Sequence, residues 1–377
     1  MTPASPVDDP NFPPNLAIVP STSRRRNEHN NDESVTPSDS DDDSADAKQD
    51  IETYGIAGRT WEAAYLLRTY LTSGIDSSSP NSPLFDPPCP LHASLSHENS
   101  TKVPRRRKIL EIGSGTGYLG LSLAPHLLQT DTLILSDLEN VCPLLTSNLS
   151  SAQSRWRSTR QRTLEPTCLV RPLPWGDYDS LSSSILQPGL HPNFILCSDL
   201  VYFPFLYPPL LKTLLGLTEW KASDDPRREP PTILFSYKIR SLVREQPFWE
   251  AFGRWFEFEA VQIGRTVVKA DEDRESSELA KGQEPRDGTR NEVEREWSRF
   301  GAARRSGLGS LSGAGDDSDE LYVFVAHRRP STLGITDILL QGDRTDEDLM
   351  LGKNGLAGAI DGGARFEEML LASLEWD

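Results

Sequence analysis

Between residues 51 and 329, short apolar runs of strand length alternate with longer stretches whose apolar positions recur every three to four residues. The short runs are rich in Ile, Leu, Val and Phe and are bounded by Gly, Ser, Asp and Pro, as strands are. They lie at 108–112, 132–137, 167–171, 193–198, 232–237, 256–263 and 321–328. The helical period recurs at 60–72, 117–128, 140–150, 206–218 and 242–253. The fourth of these begins LYPPLLKTLLGL, with both prolines in the first turn, where a missing N–H removes no helical bond. Strands alternating with helices predict an α/β fold built on a mostly parallel sheet. No helical period separates the last two strands, so they are expected to close the sheet as a C-terminal antiparallel hairpin.

The regions outside this pattern divide the chain. Residues 1–50 contain SDSDDDSADAKQD and few apolar positions, and read as a disordered acidic N-terminal tail. The segment 74–104, broken by Pro80, Pro83, Pro87, Pro88 and Pro90, reads as a long loop, and 265–320, rich in charge and Gly, as a second. Residues 330–377 form an acidic C-terminal tail whose apolar pieces, Ile338-Leu339-Leu340 and Met369-Leu370-Leu371, are expected to add little to the core. The folded domain is therefore 51–329.

Charge sharpens this division. The formal net charge is −17, with −7 in 1–50 and −7 in 330–377, which leaves −3 for the domain. A near-neutral domain between acidic tails lacks the electrostatic footprint of a nucleic-acid binder, so a protein or small-molecule partner is expected. No apolar run approaches the ~20 residues that cross a bilayer, and the first residues are acidic and Pro-rich. The expected location is the cytoplasm, with no membrane partner. Arg24-Arg25-Arg26 and Arg105-Arg106-Arg107-Lys108 leave the nucleus open, although solvated charge is the simpler reading. Cys89, Cys142, Cys168 and Cys197 lie far apart with no Cys-x-x-Cys pair, which argues against a disulfide framework or a metal.

Candidate chemistry concentrates at strand ends. In KILEIGSGTGYLGLSLA, a buried strand carrying Glu111 runs through Gly113, Ser114, Gly115 and Gly117 into a helix. Glycines there allow a tight turn and a close backbone approach to a ligand at a helix N-terminus. Gly115, Gly117 and Gly120 also spell a dinucleotide fingerprint, so a nicotinamide-dependent oxidoreductase is the rival reading, though no Tyr-x-x-x-Lys pair accompanies it. Asp137 ends the second strand, where it can accept both hydroxyl hydrogens of a ribose or else cap the next helix. Asp199 ends the fourth strand, followed by Tyr202, and an unneutralised carboxylate beside a phenol could grip a cation. Trp175 and Trp61 are candidates for stacking on a flat ring.

Taken in order, Glu111-x-Gly113-x-Gly115-x-Gly117, Asp137, Trp175-Gly176 and Asp199-Leu200-Val201-Tyr202 resemble the seven-β-strand, S-adenosylmethionine-dependent protein-lysine methyltransferases of the family-16 group. The run Gly55-Ile56-Ala57-Gly58-Arg59-Thr60-Trp61-Glu62-Ala63 matches a segment common in that group, and the likeness covers about 51–264 and 321–329. The resemblance implies a Rossmann-like seven-strand sheet with helices on both faces. It implies that Gly113 to Gly117 approach the methionine part of the cofactor, that Asp137 holds its ribose and that Trp175 packs by the adenine. Ser198 would line the pocket, and Trp61 would close it. Asp199 would hold a substrate ammonium and Tyr202 would orient it. The targets implied are translation elongation factor 1A, favoured by the Gly55–Ala63 run, or an ATPase chaperone, met by a monomeric enzyme. An inactive module that keeps the fold is the remaining alternative.

Overall fold

The structure, a computed structural model, describes residues 18–21, 47–73, 83–93, 106–159, 165–187, 189–219, 229–268, 293–302, 321–334, 346–352 and 366–367. The first elements are α1 (Ile51–Tyr54), α2 (Glu62–Thr72), β1 (Leu84–Asp86), α3 (Pro90–Ala93), β2 (Lys108–Ile112), α4 (Tyr118–Leu123), β3 (Thr132–Asp137) and α5 (Cys142–Thr159). There follow β4 (Thr167–Pro172), α6 (Tyr178–Ser184), β5 (Phe194–Ser198), α7 (Tyr207–Thr218), β6 (Thr232–Lys238) and α8 (Leu242–Trp255). The last are β7 (Phe256–Ala260), β8 (Gln262–Val268), β9 (Val293–Arg299), β10 (Leu321–Arg328) and α9 (Asp346–Leu351).

Seven strands form one sheet in the order β4-β3-β2-β5-β6-β10-β7. The pairs from β4 through β6 are parallel, and β10 runs antiparallel to both neighbours. The order reverses between β2 and β5, the place where open α/β sheets bind ligands beyond their carboxyl ends. Because side chains alternate across a strand, each strand feeds two cores. Leu110, Ile112, Ile195, Cys197, Phe235 and Phe324 face α6, α7 and α8. Ile109, Leu133, Leu135, Leu196, Leu234 and Val323 face α2, α4 and α5. Burial on both faces explains why these strands read as continuous apolar runs. The Rossmann-like sheet with helices on both faces is thus observed, and it closes with β10 and β7 as an antiparallel pair.

Several details depart from the sequence pattern. The single strand expected at 256–263 breaks at Val261 into β7 and β8, which belong to different sheets. Val261 donates to Val323 O at 2.8 Å and accepts from Phe300 N at 2.9 Å, which marks the crossing point. The expected loops contribute β1 from 74–104 and β9 from 265–320, and these flank β8 in a three-stranded antiparallel sheet, β1-β8-β9. In β9, VEREWSR, charge masks the strand period. The helix expected to reach 128 ends as α4 at Leu123, where Pro125 turns the chain into a 3₁₀ turn, Ala124–His126. The serine-rich α6 has little intrinsic propensity, but Asp177 caps it by accepting from Ser180 N.

The basic cluster before β2 is not simply solvated. Arg107 is 4% exposed and paired through two nitrogens with Asp131, whose carboxylate also accepts from Leu128 N and Arg107 N. The disorder expected of 1–50 falls mostly outside the described residues, yet 18–21 and 47–50 are in place. Ser21 and Gln49 exchange bonds of 3.1 and 2.9 Å, and Ser21 Oγ lies 2.7 Å from Tyr65 OH. The C-terminal segment also reaches the core. Phe366 stacks on Trp249 with ring centroids 5.3 Å apart, Leu349 is buried, and Trp255 Nε1 donates to Leu349 O. Ile338–Leu340 and Met369–Leu371 lie outside the described residues.

Candidate active site

The glycine turn follows β2 directly, and all three of its glycines have positive φ: +59° at Gly113, +54° at Gly115 and +77° at Gly117. That backbone strains any residue with a Cβ. A Cβ on Gly113 would lie 2.7 Å from Leu200 Cδ2 and 3.0 Å from the Trp175 ring; one on Gly115 would lie 2.9 Å from Ala57 O. Gly117 differs. It caps α4, a Cβ on it would lie 3.0 Å from Leu145 Cδ2 and 3.3 Å from Leu121 Cδ1, and it is not among the residues that line the cavity.

Two carboxylates stand behind this turn. Glu111 Oε2 accepts from Gly120 N at 2.9 Å, and burial pushes its pKa up to about 8, with nearby Asp137 adding to the rise and the Gly120 bond opposing it. Asp137 accepts from Gly115 N at 2.8 Å and from Leu138 N at 2.7 Å. Burial raises it to about 6 against those two bonds. Among the described residues neither carboxylate has a cationic partner. Ser114 Oγ and Ser136 Oγ both donate to Glu111 O, and Ser136 N donates to Ser114 Oγ, which ties the turn to β3.

A lid of N-terminal residues lies over the turn. The 3₁₀ turn Gly55–Gly58 is closed by Asp50 N donating to Gly58 O at 2.9 Å. Thr60 Oγ1 meets Thr116 Oγ1 at 2.9 Å, and Asn148 Nδ2 bridges Thr116 O and Lys48 O. Trp61 Nε1 donates to Ile56 O at 3.0 Å, which orients the indole. Its ring carries the Arg59 guanidinium at 4.2 Å and that of Arg240 at 5.3 Å.

At the other end of the cavity, Asp199 follows β5 with φ 62°, a left-handed backbone held by its N–H bond to Ser236 O at 2.9 Å. The expectation of an unneutralised carboxylate is wrong. Arg240, just past β6, takes both oxygens, Nη1 to Oδ1 at 2.7 Å and Nη2 to Oδ2, and Lys238 N reaches Oδ1 at 3.4 Å. The Asp199 side chain has no exposed surface and Arg240 has 31%. Burial opposes the charge on Arg240, but the charge and bonds of Asp199, joined by the charges of Glu62 and Glu245, hold its pKa above the ordinary value. Removing one partner of a fully buried pair costs about 3–5 kcal/mol, less where one side meets water as Arg240 does. Tyr202 is pushed up by burial and by the charges of Asp137 and Asp199, so it stays a neutral phenol.

One cavity of about 340 Å³ lies at the carboxyl ends of β2, β3 and β5. Of the residues singled out from sequence, Trp61, Glu111, Gly113, Ser114, Gly115, Asp137, Trp175, Ser198, Asp199 and Tyr202 line it. Arg240, Arg59 and Phe203 line it too and were missed. The available signal for Arg240 was a cation at the end of the strand next to the one bearing Asp199. Among the described residues, no group of three or more His, Cys, Asp or Glu could hold a metal, and no helix is long and apolar enough to cross a membrane.

A family model described as lysine methyltransferase matches residues 39–254. The chain belongs to the lysine methyltransferase family. A curated relative, protein-lysine N-methyltransferase EFM6 of Saccharomyces cerevisiae (strain ATCC 204508 / S288c), is 30% identical over 196 residues. That alignment takes in 49% of this chain and 65% of the relative, so the chain spans less than two thirds of it. Among solved structures, an O-methyltransferase from Bacillus cereus in complex with SAH is 14% identical, with TM-score 0.30, 59% of this chain covered and 74% of that one. Precorrin-6y C5,15-methyltransferase from Geobacter metallireducens GS-15 is 12% identical, with TM-score 0.27, 63% of this chain covered and 86% of that one. Likenesses at these TM-scores carry no chemistry over to this family member, whose own sheet order defines its fold.

Proposed function

We propose that this chain is a protein-lysine N-methyltransferase that draws its methyl group from S-adenosylmethionine. The observation that carries the reading is the pairing of two buried carboxylates, Glu111 and Asp137, in one cavity with Asp199 and Tyr202, inside a lysine methyltransferase family domain. A carboxylate held in low dielectric without a cation calls for a positive ligand, and the donor brings a sulfonium and an ammonium. The close approach allowed by Gly113 and Gly115 leaves room for its methionine part, and Asp137 keeps free lone pairs on both oxygens for the ribose hydroxyls. Trp175 walls the adenine side, Ser198 lines the floor and Trp61 closes the lid. When bound, the donor supplies a methyl carbon with neutral sulfur as leaving group.

The chain's own contribution is alignment and exclusion of water. The lid of 55–61 covers the glycine turn, and Tyr202, a neutral phenol, can accept from or donate to the incoming nitrogen. A lysine near its ordinary pKa of ~10.4 must lose its proton before it can attack. The proposed target is translation elongation factor 1A, supported by the Gly55–Ala63 run; that target would place this monomeric enzyme in the cytoplasm, with no nucleic-acid or membrane partner. Calorimetry with S-adenosylhomocysteine and with NAD tests the cofactor. Tight NAD binding without response to S-adenosylhomocysteine would overturn the reading. Tritiated S-adenosylmethionine added to a lysate of cells lacking the protein tests the target: a labelled band other than elongation factor 1A, such as an ATPase chaperone, would replace it.

A further inference from the structure

We infer that Arg240 is a positioning residue of the acceptor site, keeping the Asp199 carboxylate engaged so that the target lysine enters as a neutral amine beside a fixed cation. The inference rests on the lysine methyltransferase reading and deepens it, because it reverses the role that an open Asp199 would have had. Both Asp199 oxygens are held by one planar fork, the strongest geometry for a carboxylate. None of the Asp199 side chain is exposed, so an ammonium could reach it only by breaking the fork.

Arg240 is itself fixed from three sides. Its Nη1 also donates to Lys238 O at 3.2 Å, and its guanidinium lies over Trp61. Its backbone N–H donates to Glu245 Oε2 at 3.2 Å, an oxygen that also accepts from Tyr237 OH, and Glu245 Oε1 accepts from Ser241 N. Glu245 is buried at the start of α8, so the turn that carries Arg240 is anchored to that helix.

The charges around the acceptor end are those of Asp199 and Arg240 themselves, Lys238 on β6, Glu245 on α8, and Arg59 and Glu62 before and in α2, which pair with each other. Glu111 on β2 lies behind the glycine turn, whereas Asp137 at the end of β3 also faces this end, since its charge acts on Tyr202 together with that of Asp199. Held by Arg240, Asp199 forms a pair with no net pull on an ammonium, whereas an unpaired Asp199 would favour the protonated amine over its uncharged, nucleophilic form. The lone pair of that amine forms the new N–C bond while the electron pair of the breaking C–S bond stays on the donor's sulfur. The extra proton on the alkylated nitrogen leaves to water.

The test measures single-turnover methylation by the full-length protein, in excess over the labelled lysate protein, from pH 6 to 10 with tritiated S-adenosylmethionine. Arg240→Gln should raise the midpoint of the rate's rise by ~1 pH unit, about tenfold slower at neutral pH and recovering at high pH. Arg240→Lys should keep the midpoint and lower the rate evenly through its poorer fork. S-adenosylhomocysteine affinity should change less than about threefold in both. If Arg240→Gln does not fold, Arg240→Met, which keeps an apolar stem over Trp61, should give the same midpoint shift. An equal loss at every pH would reduce Arg240 to a structural strut and overturn the inference. So would a faster Arg240→Gln with a lower midpoint, since Arg240 would then be blocking Asp199. A wild type that neither binds S-adenosylhomocysteine nor labels any protein sinks the methyltransferase reading itself, whereas an active wild type with an unmoved Arg240→Gln midpoint sinks this inference alone.

Discussion

Glu111→Gln should make the ligand-free protein more stable and a poorer binder of its donor. Burial raises Glu111 from 4.5 to about 8 in the folded state. A carboxyl whose folded pKa lies above its unfolded value contributes fully to stability below pH 4.5, and loses that contribution as pH rises toward about 8. The whole interval corresponds to about 5 kcal/mol of penalty on the ionised form. Relaxation and water entry on ionisation return part of it, so a few kcal/mol is the working figure. Glutamine keeps a carbonyl oxygen for the Gly120 N–H and never ionises. The Tm of Glu111→Gln should therefore match wild type at pH 5 and exceed it by roughly 5–10 °C at pH 8.5. Differential scanning calorimetry without ligand reads this, and S-adenosylmethionine binding at pH 8.5 should weaken at least tenfold. A Tm difference that is the same at both pH values would refute the reasoning, because the penalty exists only where the carboxyl ionises.

Asp137→Ala should raise the Kd for S-adenosylhomocysteine at least tenfold, about 1.4 kcal/mol, by removing the ribose acceptor and the anchor of Gly115; in wild type the affinity should fall as pH drops through about 6, where Asp137 takes up a proton. Both are read by calorimetry. Phe366→Ala should cost about 3 kcal/mol in denaturant unfolding, since its ring is stacked and 1% exposed; full stability would show that the C-terminal segment does not dock. Gly58→Ala would place a Cβ 2.0 Å from Asp50 O, so it should open the lid and weaken S-adenosylhomocysteine binding with little change in global Tm.

The central sheet could be read from sequence because its strands are buried on both faces, and their apolar runs need no knowledge of partners. The same locality exposed Glu111, Asp137 and Asp199: each sits at or next to the end of such a run, and the end of a parallel strand is the site edge. What stayed hidden depends on contacts between distant segments. The three glycines look alike along the chain, and only the placement of Gly117 against Leu145 separates it from the two that line the cavity. Asp199 looks free until β6 brings Arg240 beside it. β9, VEREWSR, is mostly charged and shows no apolar period, and Phe366 is a lone aromatic in an acidic stretch until it meets Trp249.

The place of β10 bears on how the chain is made. This strand sits between β6 and β7, although residues 269–320 separate it from β8 in sequence. While the ribosome is still adding those residues, β6 and β7 are both finished and both lack the partner that will lie between them. The cavity-bearing half, β4 to β6, can assemble early from near neighbours, whereas the last third of the sheet waits for a distant strand whose loop must close first. Exposed strand edges at that stage invite wrong pairing. A nascent chain halted before residue 321 would therefore already hold its donor-side carboxylates while presenting two open edges to chaperones.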